Sequence, residues 1–201
     1  MAIGDPYAIL AELKTRLGGI ADTDDDAALN NALATASRGI DAFCRRQFNK
    51  TTSATARVFR PTRAGLAFVH DFHTTTGLVI ATGDDGTFGT TWAAADYQLE
   101  PLNQMRHGEE GWPYWIIRAV DSQAFTCAAR ATLQVTAQWG WNAVPAAVKE
   151  ACLILAVDVF KLKDTPFGVA GYGDWGVVRV RQNPAAAEKL IPYRRNAPLV
   201  A

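Results

Sequence analysis

Apolar residues recur at helical spacing in the first quarter of the chain. Between Tyr7 and Leu17 they repeat every three or four positions, and Gly18-Gly19 ends the repeat. Aspartate is a common N-cap and proline is tolerated at the first helical position, so Asp5-Pro6 predicts the start of a first helix. A second apolar stripe follows an acidic cluster and predicts a longer helix over Asp22–Cys44.

The pattern changes in the middle of the chain, from about residue 45 to residue 138. Short runs of β-branched and aromatic residues alternate there with turn residues, and Gly83–Gly86 is a strong turn sequence between two of them. This alternation predicts about ninety residues of antiparallel β structure. The expected strands are Ala56–Arg60, Leu66–Val69, Gly77–Thr82, Tyr97–Glu100, Trp115–Val120 and Ala131–Gln138.

Helical spacing returns at Pro145 and ends at Pro166. A glycine-rich stretch over residues 167–176 then precedes a strand predicted at Val177–Arg181, and Asn183-Pro184 predicts a short last helix over Ala185–Ile191. The fold class predicted by this order is α+β. It consists of a small α-helical core, an inserted antiparallel β region and an extended C-terminal arm.

The same order predicts three parts of the chain. We expect a helical core from residues 1–50 and 143–165, and a β-rich insertion over residues 51–142. Residues 166–201 are expected to form a glycine-rich loop and a C-terminal arm.

Composition and charge exclude several classes of protein. Among 201 residues, 20 basic side chains balance 20 acidic ones, which argues against a general affinity for nucleic acid. The sequence has neither a membrane-spanning apolar run nor a signal peptide, so we expect a soluble intracellular protein. The ends differ in charge: residues 1–26 carry six acids and two bases, whereas residues 176–201 carry five bases and one acid. Such opposite ends suit contacts between stacked or adjacent molecules.

No set of residues predicts catalysis, a cofactor or a metal. Gly171–Gly176 matches GxGxxG, but a helix precedes it and a strand follows, which is the reverse of a dinucleotide site. His70 and His73 are three apart, and on a strand side chains at that spacing would point to opposite faces, so we expect solvated turn histidines rather than a metal site. Three cysteines without CxxC spacing indicate reduced thiols, although a catalytic cysteine with a distant histidine partner stays open.

Three phrases and their order resemble the head–tail connector, or adaptor, proteins of long-tailed bacteriophages and related prophages. The resemblance covers most of the chain, and the β-rich insertion carries the least of it. The phrases lie at residues 34–48 (ATASRGIDAFCRRQF), 139–148 (WGWNAVPAAV) and 164–171 (DTPFGVAG).

The resemblance implies a structural virion protein without enzymatic activity or cofactor. It implies a ring, expected to be a dodecamer, that lies beneath the portal, extends the DNA channel and receives the stopper or a tail-completion protein. The genome would pass through this ring without sequence-specific binding. The protein would be located in the neck of the virion, after assembly in the host cytoplasm.

The C-terminal arm is the part that the resemblance assigns to portal docking. Basic and apolar residues in the arm have the composition of an interface with apolar anchors and a charged rim. Residues expected to bind the portal are Val177, Val178, Arg179, Val180, Arg181, Leu190, Ile191, Tyr193, Arg194 and Arg195. Expected hinge residues are Gly168, Gly171, Gly173 and Gly176.

Two alternatives to these interpretations remain open. The C-terminal helix could instead pack on its own subunit, in which case truncation before it would unfold the protein. The whole chain could instead be a small-ligand-binding domain or an enzyme whose glycine-rich loop covers a pocket.

Overall fold

The protein has an α+β fold, which confirms the predicted class. The computed structural model describes residues 2–84, 86–161 and 183–195. The chain divides into two compact units. Among the described residues, a helical unit contains residues 3–48, 144–161 and 183–195, and a β unit contains Ala2 and residues 49–84 and 86–143.

The helical unit is built from sequence segments on both sides of the β unit. Its helices are α1 (Leu10–Arg16), α2 (Asp26–Cys44), α3 (Ala146–Lys161) and α4 (Pro184–Leu190), and a 3-10 turn follows α4 at Ile191–Tyr193. Helix α2 packs along α3, and the shorter α1 contacts both. The core between them is formed by small and aliphatic side chains, including Leu33, Ala36, Ile40, Val148, Cys152 and Leu155.

The predicted start of the first helix is wrong, because α1 begins at Leu10 rather than at Asp5-Pro6. The side chain of Glu12 accepts a hydrogen bond from the backbone N–H of Ile9, at 3.1 Å, and so caps the first turn. Tyr7 is held outside the helix because its backbone N–H donates to Ser37 Oγ at 3.0 Å. A tertiary contact with α2 therefore overrides the local start signal.

Tyr7 links three parts of the helical unit through one buried side chain. Its hydroxyl donates to the carboxylate of Asp41 and accepts a hydrogen bond from the backbone N–H of Phe48, at 3.0 Å. The rings of Tyr7 and Phe48 meet edge to face, with centroids 5.6 Å apart. Burial, followed by the charge of Asp41, raises the pKa of Tyr7 far above its ordinary value, so the hydroxyl stays protonated.

Helix α4 packs on α3 within the helical unit. Ala186 and Leu190 are fully buried, whereas the adjacent Ile191 is 63% exposed. The helix therefore has one face against the core and one face toward solvent, as its amphipathic spacing requires.

The β unit contains one antiparallel sheet of six strands. The strand order is β1-β6-β2-β5-β4, and β3 pairs with the end of β2. The strands are β1 (Thr55–Phe59), β2 (Leu66–Thr82), β3 (Thr90–Thr91), β4 (Tyr97–Glu100), β5 (Tyr114–Ala119) and β6 (Leu133–Trp139).

Two strands predicted at Leu66–Val69 and Gly77–Thr82 form one long strand, β2. Its first half pairs with β5 and its second half pairs with β6. The polar segment between the predicted strands stays extended because β2 changes its partner strand within it. Pairing with β5 ends at Phe72 and pairing with β6 begins there, and the register of pairing shifts before and after this residue.

Alternate residues of the strands form the core of the β unit. The burial pattern of β6 alternates at every position, and Leu133, Val135, Ala137 and Trp139 point inward. Outside the strands, Trp92 and Phe125 stack with ring centroids 4.6 Å apart and belong to the same core.

The segments that enter and leave the β unit are hydrogen-bonded to each other. The backbone N–H of Thr51 donates to the Trp139 carbonyl at 2.8 Å, and the N–H of Trp141 donates to the Asn49 carbonyl at 3.2 Å. Gly140 lies between these bonds with φ +98°, and an added Cβ would lie 1.8 Å from the Asn49 carbonyl oxygen. Only glycine fits this close backbone approach.

We expect Tyr7→Phe to lower the free energy of unfolding by about 1–3 kcal/mol, because it leaves the Asp41 carboxylate and the Phe48 N–H without their buried partner. Tyr97→Phe is the control and should change stability less. Burial raises the pKa of Tyr97 without a contribution from a charged or hydrogen-bonded group, in contrast to Tyr7. Urea unfolding measures both. Equal stability of the wild-type and Tyr7→Phe proteins would contradict this role of the hydroxyl.

A second pair of substitutions tests the packing of α4. Leu190→Ala should cost about 2–5 kcal/mol because it opens a cavity in the core. Ile191→Ala, at the exposed neighbouring position, should cost less than about 1 kcal/mol. Thermal and urea unfolding compare the two, and a mild effect of Leu190→Ala would mean that α4 does not contribute to the folded core.

Candidate assembly interface

The segment Asn183–Arg195 begins with a capped helix that is fixed to α3. Asn183 Oδ1 accepts a hydrogen bond from the backbone N–H of Ala186 at 3.0 Å, which makes it the N-cap of α4. The same side chain donates through Nδ2 to the Asp158 carboxylate at 2.6 Å. Pro184 follows at the first helical position, so the predicted Asn-Pro start is confirmed.

The end of this segment lies against the C-terminal end of α2. Tyr193 is 6% exposed and its ring meets Phe48 edge to face, with centroids 6.0 Å apart. The backbone N–H of Arg195 donates to the Cys44 carbonyl at 2.8 Å. This bond satisfies one of the carbonyl groups that a helix leaves unpaired at its end.

Basic side chains collect at this end of α2. Arg45 is the C-cap residue, in the left-handed conformation with φ 52°, and it is exposed. The guanidinium of Arg194 lies over the ring of Phe43, 5.5 Å from its centroid. Positive charge at a helix C-terminus is favourable because it faces the negative end of the helix dipole.

One surface therefore combines exposed apolar area with positive charge. We call the residues Lys189, Ile191, Arg194 and Arg195 the C-terminal patch. Lys189 and Ile191 are exposed, and Arg194 and Arg195 are half-buried at its edge. An apolar residue with arginine around it is the usual composition of a binding surface.

The predicted portal-binding residues separate into three groups. Leu190 and Tyr193 are buried within the helical unit, so they fix α4 and the turn after it from the inside. Ile191, Arg194 and Arg195 lie in the C-terminal patch. The strand predicted at Val177–Arg181 and the four hinge glycines, Gly168, Gly171, Gly173 and Gly176, lie outside the described residues. The sequence left open whether the C-terminal helix packs on its own subunit or extends away as part of an arm. In residues 183–195, helix α4 packs on its own subunit.

The cysteines have environments of two kinds. Cys44 and Cys152 are buried and Cys127 is exposed, all as free thiols. Burial raises the pKa of Cys44 to about 12 and also raises that of Cys152. A thiol with a raised pKa is a poor nucleophile at neutral pH, so these two residues act as small core side chains.

The histidines lie on β2 and in the loop that follows β4. His70 Nδ1 lies 2.9 Å from the Arg57 guanidinium, and burial lowers the pKa of the half-buried His73. Within residues 2–84, 86–161 and 183–195, no group of three or more His, Cys, Asp or Glu side chains could hold a metal ion. No described helix has the length and apolar character of a membrane span.

Sequence reasoning missed an ordered loop between β4 and β5. Leu102 is 57% exposed and Met105 is 44% exposed in this loop. The clue in the sequence was a group of residue types that tolerate positive φ, Asn103, His107, Gly108 and Gly111, beside two apolar side chains. Both apolar residues are therefore displayed on a structured turn.

The whole chain is similar in fold to proteins of phage-like particles. It matches a chain in the neck of an empty GTA particle computed with C6 symmetry, with a TM-score of 0.57, 17% identity, and coverage of 95% of this chain and 91% of that chain. A chain in the virion of a native gene transfer agent (GTA) particle matches with a TM-score of 0.54 and 18% identity, covering 95% of this chain and 91% of that chain. A chain in the neck of a native GTA particle computed with C12 symmetry gives 0.53 and 18%, covering 96% and 91%.

No protein-family model and no curated protein matches the sequence. The structural likenesses nevertheless extend over both units, since they cover at least 95% of the chain. At 17–18% sequence identity, these similarities show that the fold is shared and carry no statement about function. The fold is thus the one that the resemblance to head–tail connector proteins predicts, shared with chains of gene transfer agent particles.

Proposed function

We propose that this protein is a structural virion protein, a head-to-tail adaptor in the neck of a phage or phage-like particle. The observation that carries the proposal is the likeness of the whole chain, helical unit and β unit together, to chains in GTA necks and virions. A structural role also fits the burial of Cys44 and Cys152, whose raised pKa values disfavour thiolate chemistry. We therefore favour a structural role over an enzyme or a small-ligand-binding domain.

The proposed assembly is a closed ring beneath the portal, with twelve copies as the expected number. The similar necks were computed with C6 and C12 symmetry, and both symmetries suit a ring of twelve chains. Rings form when one surface of a subunit contacts a different surface of the next and the rotation closes. Such a ring would extend the DNA channel and give the stopper or a tail-completion protein its attachment site.

Balanced charge suits a channel through which DNA must pass. The chain carries 20 basic and 20 acidic residues, so a ring has no large excess of positive charge with which to hold phosphates. We propose that the genome passes without sequence-specific binding. The protein would act in the virion neck, after assembly in the host cytoplasm.

Portal docking is proposed for the C-terminal part of the chain. In residues 183–195, the C-terminal patch supplies the exposed Ile191 and the basic rim, while Leu190 and Tyr193 hold the segment in place. Val177–Arg181 and the glycines before them would complete the arm, on the evidence of the sequence. An acidic and apolar surface on the portal is the partner that this composition fits.

A pull-down with purified portal tests this docking. Ile191→Asp should abolish binding while the protein stays folded, because Ile191 is 63% exposed. The double change Arg194→Glu, Arg195→Glu should weaken binding about tenfold or more. Added salt should weaken the binding of the wild-type protein, because it screens the same charges.

Arg130→Glu reverses one basic charge at an exposed position of the β unit and serves as the control for charge reversal as such. Circular dichroism of each variant separates loss of binding from loss of fold. If folded Ile191→Asp protein binds the portal as well as the wild type does, docking through the C-terminal patch is refuted.

A further inference from the structure

The loop between β4 and β5, residues 101–113, has an unusual backbone conformation. Asn103, Gln104 and His107 have φ values of 56°, 54° and 54°, in the left-handed region that residues other than glycine rarely adopt. This conformation is unfavourable for such residues and persists only where surrounding contacts impose it. These contacts are present in the loop.

Hydrogen bonds and stacking hold the β4–β5 loop in one shape. The side-chain amide of Gln104 donates to the His73 carbonyl, and the Gln104 carbonyl accepts from the Trp112 N–H, both at 3.0 Å. The guanidinium of Arg106 lies 5.1 Å from the ring centroid of Trp112 and 5.2 Å from that of Trp115. The fixed turn presents Leu102 and Met105, which are 57% and 44% exposed.

The two ends of the strand order carry opposite charge. Residues 94–113, which include β4 and its loop, contain four acids and one base. Residues 49–70, which include β1, contain four bases and no acid. Strands β1 and β4 are the two ends of the order β1-β6-β2-β5-β4, so the acidic and basic segments belong to opposite ends of one sheet.

Each end also exposes apolar area beside its charges. Leu102 and Met105 accompany the exposed Glu109 and Glu110 on the β4–β5 loop. At the other end, Val58 is 54% exposed on β1, and the exposed Arg60 and Arg63 follow it. Apolar centres with opposite charges beside them are complementary in the way that protein interfaces require.

We propose that these two surfaces bind each other between neighbouring copies of this chain, with Leu102 and Met105 against Val58 and Glu109 and Glu110 facing Arg60 and Arg63. The proposal rests on the ring proposed above and names the contact that closes it. Because the two surfaces differ, the contact is heterologous and repeats around a ring. A loop held in its bound shape loses little conformational entropy when it binds.

Disulfide formation between two differently substituted chains tests the contact directly. One chain carries Met105→Cys, the other Val58→Cys, and both carry Cys127→Ser to remove the exposed native thiol. The mixture, assembled with portal and oxidised, should give a cross-linked heterodimer on a non-reducing gel. Ile9→Cys replaces Val58→Cys in the control, because Ile9 has the same 54% exposure in the helical unit and should give none.

Charge reversal provides a second, independent measurement. Glu109→Lys, Glu110→Lys should raise the concentration at which rings form by about tenfold or more, and Arg60→Glu, Arg63→Glu should do the same. A mixture of the two variants should form mixed assemblies more readily than either variant alone. Every contact between unlike variants joins an acidic surface to a basic one, whereas each variant alone brings like charges together. Asp84→Lys, Asp121→Lys makes a charge change equal to that of the Glu109, Glu110 variant at exposed positions outside both surfaces, and it should leave the assembly concentration unchanged.

The outcomes separate this contact from the ring itself. A wild-type ring that gives no heterodimer and tolerates both reversals overturns the contact and leaves the proposed function standing. A wild-type chain that stays monomeric with and without portal, by native mass spectrometry, overturns the ring and this contact together. Heterodimer formation and rescue by mixing establish the contact.

Discussion

The fold depends on a close approach of two backbone segments at Gly140. There the chain that enters the β unit runs beside the chain that leaves it, and hydrogen bonds from Thr51 and Trp141 join them. A side chain at position 140 would collide with the Asn49 carbonyl, so glycine is required. Because the two segments are joined, ninety-five residues of β structure can be inserted between α2 and α3, which still pack along each other.

The helical unit is then completed by residues distant in sequence. Tyr7 from the N-terminal segment and Tyr193 from the C-terminal segment both pack edge to face on Phe48, the last residue before the β unit. Arg195 adds a backbone hydrogen bond to the end of α2. Two segments distant in sequence thereby stabilise one helix end, and the arginines around it leave a basic, partly apolar surface that suits a partner.

The sequence predicts the elements better than the contacts between them. The helical spacing of apolar residues and the capping residues are sufficient to predict α2, α3 and the Asn183-Pro184 start of α4, because these signals are local in the sequence. They fail at the start of α1, where Ser37, thirty residues away from Tyr7, holds that residue out of the helix. They also fail at β2, whose polar middle stays extended through pairing with β5 and β6.

The candidate interface was predictable only in part for the same reason. Basic and apolar residues near the C-terminus are visible in the sequence, but the burial of Leu190 beside the exposed Ile191 depends on the packing of α4. The exposed side chains of the β4–β5 loop depend on three left-handed residues held by distant partners such as His73. Local propensity does not contain that information.

The central claim is that this chain is a ring-forming neck protein, and the copy number in its complex with portal tests that claim most directly. Native mass spectrometry of the purified complex, with cryo-electron microscopy of the same sample, measures how many copies are bound and whether they contact one another. We expect a closed ring of twelve copies on the portal, with subunits in lateral contact. Portal that binds no copies, or binds isolated copies without lateral contact, would contradict the account.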